Sequence, residues 1–264
     1  MKYLLAWLLV LALAGGAEAK LVTRTVEYKQ DGTVCRGYLA YDDAVPGRRP
    51  GVLVVHEWYG LNDFAKKKAE ELAPLGYVAL AADMYGGGRS TTDREEAARL
   101  SGALRNQPQL LRARARAGLD CLAAQPQVDP KRLAAMGFCF GGTTVLELAY
   151  SGADLKGAVS FHGGLPLPQP GEGKNIRVKI LVLHGADDPF VKPHEIASFE
   201  EALRQAGADW QLVIFSGAVH SFTNPEANKA GVPGVAYNAR VAARAFGYMK
   251  LFFREIFGGA GSSP

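Results

Sequence analysis

A chain of 264 residues has room for one large α/β domain or two small ones, and 48% apolar against 21% charged residues excludes a disordered or fibrous protein. Thirty basic against 26 acidic residues leave a net charge of +4, too mild to mark a nucleic-acid-binding protein. The most basic run, Arg112-Ala-Arg-Ala-Arg116, turns Arg114 away from its two neighbours at about 100° per helical residue, so these charges are expected around a solvated helix.

The chain opens with Met1-Lys2, then an apolar run from Tyr3 to Ala14, then Ala17-Glu18-Ala19. A positive start, a short apolar stretch and a small-x-small site are the parts of a secretory signal. The run is too short for the roughly 20 residues of a membrane span. We therefore expect a signal peptide over residues 1–19, mature protein from Lys20, a periplasmic or secreted location, and no membrane attachment after cleavage. No cysteine follows the run closely, so a lipid-modified N-terminus is not suggested.

Downstream, Leu21 to Glu27 and Thr33 to Tyr41 read as strands joined by an Asp31-Gly32 turn. Pro50 to His56 is a continuous apolar run of the kind that a strand buried on both faces gives. A helix is expected from Asp63 to about Leu75, stopped by Gly76. Strand Tyr77 to Ala82 comes next, then helices over Asp93 to Asn106 and Gln109 to Ala124, parted by Pro108. The chain continues with strand Arg132 to Gly137, helix Phe140 to Tyr150, and strands Lys156 to Phe161 and Val178 to His184. Helix Pro193 to Gln205, strand Trp210 to Phe215 and a last helix from Tyr237 to Ile256 complete it, before a loose tail over 258–264. Such alternation argues a single α/β domain over residues 20–257, a mostly parallel sheet with helices on both faces.

Ligands of such sheets gather outside the carboxyl ends of the strands. The polar residues expected there are His56-Glu57, Asp83, Cys139, His162, His184, Asp187-Asp188 and His220. Gly137-Phe-Cys-Phe-Gly141 has the spacing of the G-x-S-x-G nucleophile elbow, with cysteine in place of serine. The turn there is so sharp that side chains at 137 and 141 would collide. The nucleophile then stands at a helix N-terminus, whose partial positive charge favours a thiolate. Triad order in this fold is nucleophile, acid, base, and the chain supplies Cys139, then Asp188 with Asp187 as a competitor, then His220. A zinc motif beginning at His56-Glu57 would need histidine at 60, where glycine stands. Of the other two cysteines, Cys35 and Cys121, spacing alone leaves a disulfide between them open.

With His56-Glu57-Trp-Tyr-Gly60, Asp83-Met-Tyr85, Gly137 to Gly142, Gly185 to Val191 and His220-Ser-Phe222, the chain resembles the dienelactone hydrolase family of α/β-hydrolases over nearly all of residues 21–256. The resemblance selects Asp188 over Asp187 and gives Glu57 a part in holding and then activating the resting thiol. It implies ester or lactone hydrolysis through a Cys139 thioester, with an oxyanion held by the backbone N–H groups of Phe140 and Trp58. No metal or cofactor is implied, and the partner is a small-molecule ester or lactone; oligomeric state is left open.

The pattern also breaks. Family members acting on dienelactone grip its carboxylate with two arginines, but here Gly86-Gly87 follow Asp83-Met-Tyr85, and Asn224 ends the His220 segment. A neutral or differently charged substrate is therefore expected, in a pocket with Trp58, Tyr59, Tyr85 and Phe140 and with Arg89 as a replacement cation. Two other functions fit the same residues: a thiol acyltransferase or redox enzyme with Cys121 as resolving thiol, and a non-catalytic binding protein.

Overall fold

The computed structural model describes residues 20–258; the expected signal over 1–19 and the tail beyond Gly258 lie outside the described residues. Strands β1 (Leu21–Gln30) and β2 (Thr33–Asp42) form a hairpin across Asp31-Gly32. They are followed by β3 (Arg49–Val55), α1 (Asp63–Leu72), β4 (Val78–Ala82), α2 (Arg94–Arg105) and α3 (Pro108–Ala123). The remainder is β5 (Val128–Phe138), α4 (Phe140–Tyr150), β6 (Gly157–Phe161), β7 (Lys179–Gly185), α5 (Pro193–Gln205), β8 (Trp210–Phe215) and α6 (Ala239–Phe257). One eight-stranded sheet results, in the order β1-β2-β4-β3-β5-β6-β7-β8, antiparallel where β2 meets β1 and β4 and parallel from β4 to β8. Among the described residues no helix is long and apolar enough to cross a membrane.

The period-2 alternation of the strands sorts the core into two layers. Val52 and Val54 of β3 pack with Ala65, Ala69 and Leu72 of α1 and with Val241, Ala245, Met249 and Phe253 of α6. Leu53 and Val55 point the other way, onto α2, α3 and α4, in the layer that also holds Phe199 and Leu203 of α5. Burying each such side chain fully contributes about 1.5–3 kcal/mol, so a one-residue slip of β3 is strongly disfavoured.

Three expectations change. The first helix ends at Leu72 and tightens into a 3-10 turn over Ala73–Leu75, because Pro74 brings no N–H to an α-helical ladder. Strand β5 starts four residues early, at Val128, and its pairing with β3 shifts register between Pro50 and Gly51; Pro130 inside the run hides this extension from the sequence. The basic run of α3 is not a solvated face: Arg112 and Arg114 are buried. Arg112 bridges Glu147 of α4 and Glu172 at 2.6 and 2.5 Å, and Arg114 donates to the Met84 carbonyl at 3.0 Å and to Thr33 Oγ1 at 3.2 Å.

Candidate active site

The carboxyl end of β5 meets α4 at Cys139, whose φ of +53° lies in a region that non-glycine residues enter at a cost of roughly 1–3 kcal/mol. Its neighbours make the turn possible. A Cβ on Gly137 would come within 2.1 Å of the Gly141 carbonyl oxygen, and one on Gly141 within 2.1 Å of the Val55 carbonyl oxygen. The Cys139 N–H donates to the Phe161 carbonyl at 3.0 Å and toward His162 Nδ1 at 3.2 Å, and the Cys139 carbonyl receives Thr143 N–H. The thiol is thus fixed, 9% exposed, on the floor of a cavity of about 1080 Å³.

His220 follows β8 and is held on both sides of its backbone, donating to the Gly234 carbonyl and accepting from Ala236 N–H. Nδ1 lies 2.8 Å from Oδ2 of Asp188, which follows β7, and His220 lines the same cavity as the Cys139 thiol. Asp188 is buried and its other oxygen accepts Phe190 N–H at 2.9 Å, whereas Asp187 is exposed. Burial opposes a charge on His220, but negative charge on Cys139 and the Asp188 carboxylate overcome it and raise the imidazolium pKa to about 10.

Glu57, just past β3, is 3% exposed beside this group. Its Oε1 accepts from Ser221 Oγ at 2.9 Å and its Oε2 from Asn224 Nδ2 at 2.6 Å. Burial pushes the carboxyl pKa up, and the two donors and His220 offset it only in part. Ser221 reaches Glu57 from a φ of +56°, the third non-glycine residue at positive φ at this site after Cys139 and His162. Gly60 closes the Glu57 turn: its N–H donates to the Glu57 carbonyl, and a Cβ there would meet the Arg89 carbonyl oxygen at 2.4 Å. In that turn the Trp58 N–H is not used, and Phe140 N–H is the first of the N–H groups that a helix leaves without an intrahelical partner.

The other strand-end residues have structural surroundings. Asp83 accepts the N–H groups of Arg36, Tyr85, Gly86 and Gly88 and so shapes the loop after β4. His56 and His162 are fully buried and kept neutral by that burial; His56 Nε2 receives Met84 N–H, and His162 Nε2 lies 2.7 Å from Thr223 Oγ1. His184 is buried too, with an unpartnered Nδ1.

Trp58, Tyr59 and Asn224 stand in the cavity wall as expected, but Tyr85 and Arg89 do not. Tyr85 lies behind the wall, packed on His56 and Phe140, its hydroxyl donating to the Trp58 carbonyl at 2.8 Å. Arg89 is exposed, because its backbone is tied to Leu61 N–H and carries the side chain outward from the cavity. Phe140 is fully buried under the floor. Cys35 and Cys121 are free thiols outside the wall, so Cys121 is not placed as a resolving partner for Cys139. Sequence reasoning missed Arg105, the last residue of α2, which lines the cavity with its guanidinium 5.6 Å from the Phe140 ring centre. A basic residue in a last helical turn reads as dipole compensation, and nothing local says that α2 ends over the site. Among the described residues no group of three or more His, Cys, Asp or Glu is placed to hold a metal ion.

A mostly parallel sheet carrying an elbow cysteine and a His–Asp pair beyond its strand ends defines the class, an α/β-hydrolase. Residues 35–257 match the dienelactone hydrolase family, and the chain belongs to that family of hydrolases. Among its relatives, "Protein usf" of Aquifex pyrophilus is 30% identical over 202 residues, 75% of this chain and 86% of that one. A protein of Bradyrhizobium named as a probable 2-oxo-3-(5-oxofuran-2-ylidene)propanoate lactonase is 28% identical over 76% of this chain and 85% of its own. A crystal structure titled as a dienelactone hydrolase-like promiscuous phosphotriesterase from metagenomic libraries superposes with a TM-score of 0.88 at 43% identity, over 90% of this chain and 99% of that one.

Proposed function

We propose that this protein is an exported hydrolase that cleaves an ester or lactone through a thioester on Cys139. The observation that carries the reading is the Asp188–His220 pair set in one cavity with the strained Cys139. The Cys139 sulfur, its proton transferred to His220, attacks the carbonyl carbon, and the developing oxyanion is received by Phe140 and Trp58 N–H. Collapse breaks the carbon–oxygen bond to the alcohol, which leaves with the proton from His220. Water then adds to the thioester as His220 takes its proton; the carbon–sulfur bond breaks, and thiol and free acid result.

Asp188 keeps the Nδ1 side of His220 engaged, so that the opposite nitrogen serves the sulfur and the water. Glu57, buried and lining the same cavity as Cys139, is the residue to which the family resemblance gives the holding and activating of the resting thiol. The positions of the two carboxylate-gripping arginines hold Gly86-Gly87 and Asn224, and Asn224 is engaged by Glu57. A compact carboxylated lactone therefore lacks its grip, and substrate preference is altered.

The test is a panel of p-nitrophenyl esters, a simple lactone, dienelactone and an aryl phosphotriester, assayed with protein beginning at Lys20 and with its Cys139→Ala variant. Ester or lactone turnover that falls by about 1,000-fold or more in the variant supports the thiol mechanism. Turnover equal in the two sinks it, and no turnover of any member sinks the hydrolase assignment of this site. Export is checked by fractionating cells that express the whole chain: activity retained in the cytoplasm with residues 1–19 still attached would overturn it.

A further inference from the structure

The cavity wall carries a cation that no carboxylate among the described residues answers. Arg105 is exposed at the end of α2 and lies over the ring of Phe140. The basic residues around it are engaged otherwise: Arg99 with Glu96, Lys229 with Glu226, and Arg94 with the Ala230 carbonyl. Among the described residues Arg105 makes no ion pair. Its guanidinium keeps its full set of donors for whatever enters the cavity, and its flat face is steadied on an aromatic ring.

The placement also selects a part of the substrate. Phe140 opens α4 beside Cys139, so Arg105 packs on the ring of the residue whose N–H receives the acyl carbonyl in the proposed mechanism. His220 lines the cavity with Phe190 edge-on to its ring at 5.1 Å and with Val235 paired to its backbone. A leaving alcohol must face His220 to collect its proton, which leaves the Arg105 side to the acyl chain.

We propose that Arg105 is a specificity-determining residue that binds a carboxylate carried on the acyl part of the substrate. The inference rests on the thiol-hydrolase reading for the orientation of the substrate, though not for the anion site. A purely structural Arg105 would stabilise the C-terminus of α2 and rest on Phe140, tasks that lysine shares in good part. Lysine has no planar fork for a carboxylate, so recognition separates the two roles.

The experiment compares mono-p-nitrophenyl glutarate with p-nitrophenyl butyrate, which share a leaving group and differ by one acyl carboxylate. In wild type, Arg105→Met and Arg105→Lys, the reading is the ratio of the two kcat/KM values. Arg105→Met is expected to lower the glutarate-to-butyrate ratio by about tenfold or more, the size of one lost charge-assisted hydrogen bond, with Arg105→Lys between it and wild type. A ratio within twofold of wild type in Arg105→Met overturns the proposal, even where both rates fall. Calorimetric titration with 4-phenylbutyrate separates this outcome from failure of the hydrolase reading. If wild type cleaves neither ester, binding that is lost in Arg105→Met still upholds the anion site. Binding equal in the two proteins, or absent from both, overturns it.

Discussion

The side-chain amide of Asn224 donates to Oε2 of Glu57 at 2.6 Å, deep beside the thiol. Asn224 is the first of the contacts that hold the Glu57 pKa down against its burial. Replacing it with leucine leaves a buried carboxylate oxygen without its donor, at a cost of about 1–3 kcal/mol. The sign of the pH dependence follows. A carboxyl whose folded pKa is raised binds its proton more tightly when folded, so stability falls as pH rises from its unfolded value through the folded one. Asn224→Leu raises the folded value further and extends that fall. Urea unfolding is therefore expected to show a larger penalty for Asn224→Leu at pH 8 than at pH 5; an equal penalty would mean that Glu57 is not the group affected.

Asp187 and Asp188 are adjacent, yet only Asp188 is buried against His220. Asp188→Asn keeps the shape but presents an amide where the imidazole needs an acceptor, and kcat is expected to fall by about 100- to 10,000-fold. Asp187→Asn alters an exposed carboxylate and should leave kcat within about threefold. Steady-state kinetics on any turned-over p-nitrophenyl ester checks both, and the reverse ranking would reassign the acid.

The elbow turn and the sheet were legible because each is written in short-range patterns, whereas Asp188 was separated from Asp187 only by the family resemblance. Glycines at 137 and 141 answer to a turn of fixed sharpness, and continuous apolar strands answer to burial on both faces. What escaped depends on how distant segments meet. Arg112 reads as a solvated charge until Glu147 and Glu172 are brought beside it from elements far along the chain. Arg89 is two residues from an expected arginine position, but the pairing of its carbonyl with Leu61 N–H decides where its side chain goes. Tyr85, expected in the pocket, supports the wall from behind, and Arg105 enters it from a helix end that sequence gives no reason to place there.

Two glycine substitutions separate close approach from simple flexibility. A methyl group at Gly141 would overlap the Val55 carbonyl oxygen, backbone that cannot yield without parting β3 from α4. Gly141→Ala is expected to destabilise the fold by about 3 kcal/mol or more, in the range of severe core overpacking. Gly102 lies inside α2 with nothing within 4 Å of an added Cβ. Gly102→Ala should stabilise by about 0.5–1 kcal/mol through helix propensity. Thermal or urea unfolding of the pair gives opposite signs if the elbow is as tight as its geometry.

The thiol and His220 are also coupled through stability. Burial opposes the imidazolium, yet Cys139 and Asp188 lift its pKa from an ordinary 6.5 to about 10. A histidine with a raised folded pKa contributes stability that is fully present below pH 6.5 and is lost as pH rises through about 10. Cys139→Ala removes the larger of the two favourable influences, so the variant holds the proton less tightly. The His220 ring of Cys139→Ala is therefore expected to lose its proton at a clearly lower pH than the ring of wild type. An ionisable thiol is present in wild type and absent from the variant, so the comparison is read on the ring and not on stability; Glu57 and the neutral His162, which face the same ring, are common to both. Histidine ring NMR shifts followed from pH 5 to 10 under reducing conditions check it. Equal midpoints in the two proteins would show that the sulfur does not hold the His220 proton.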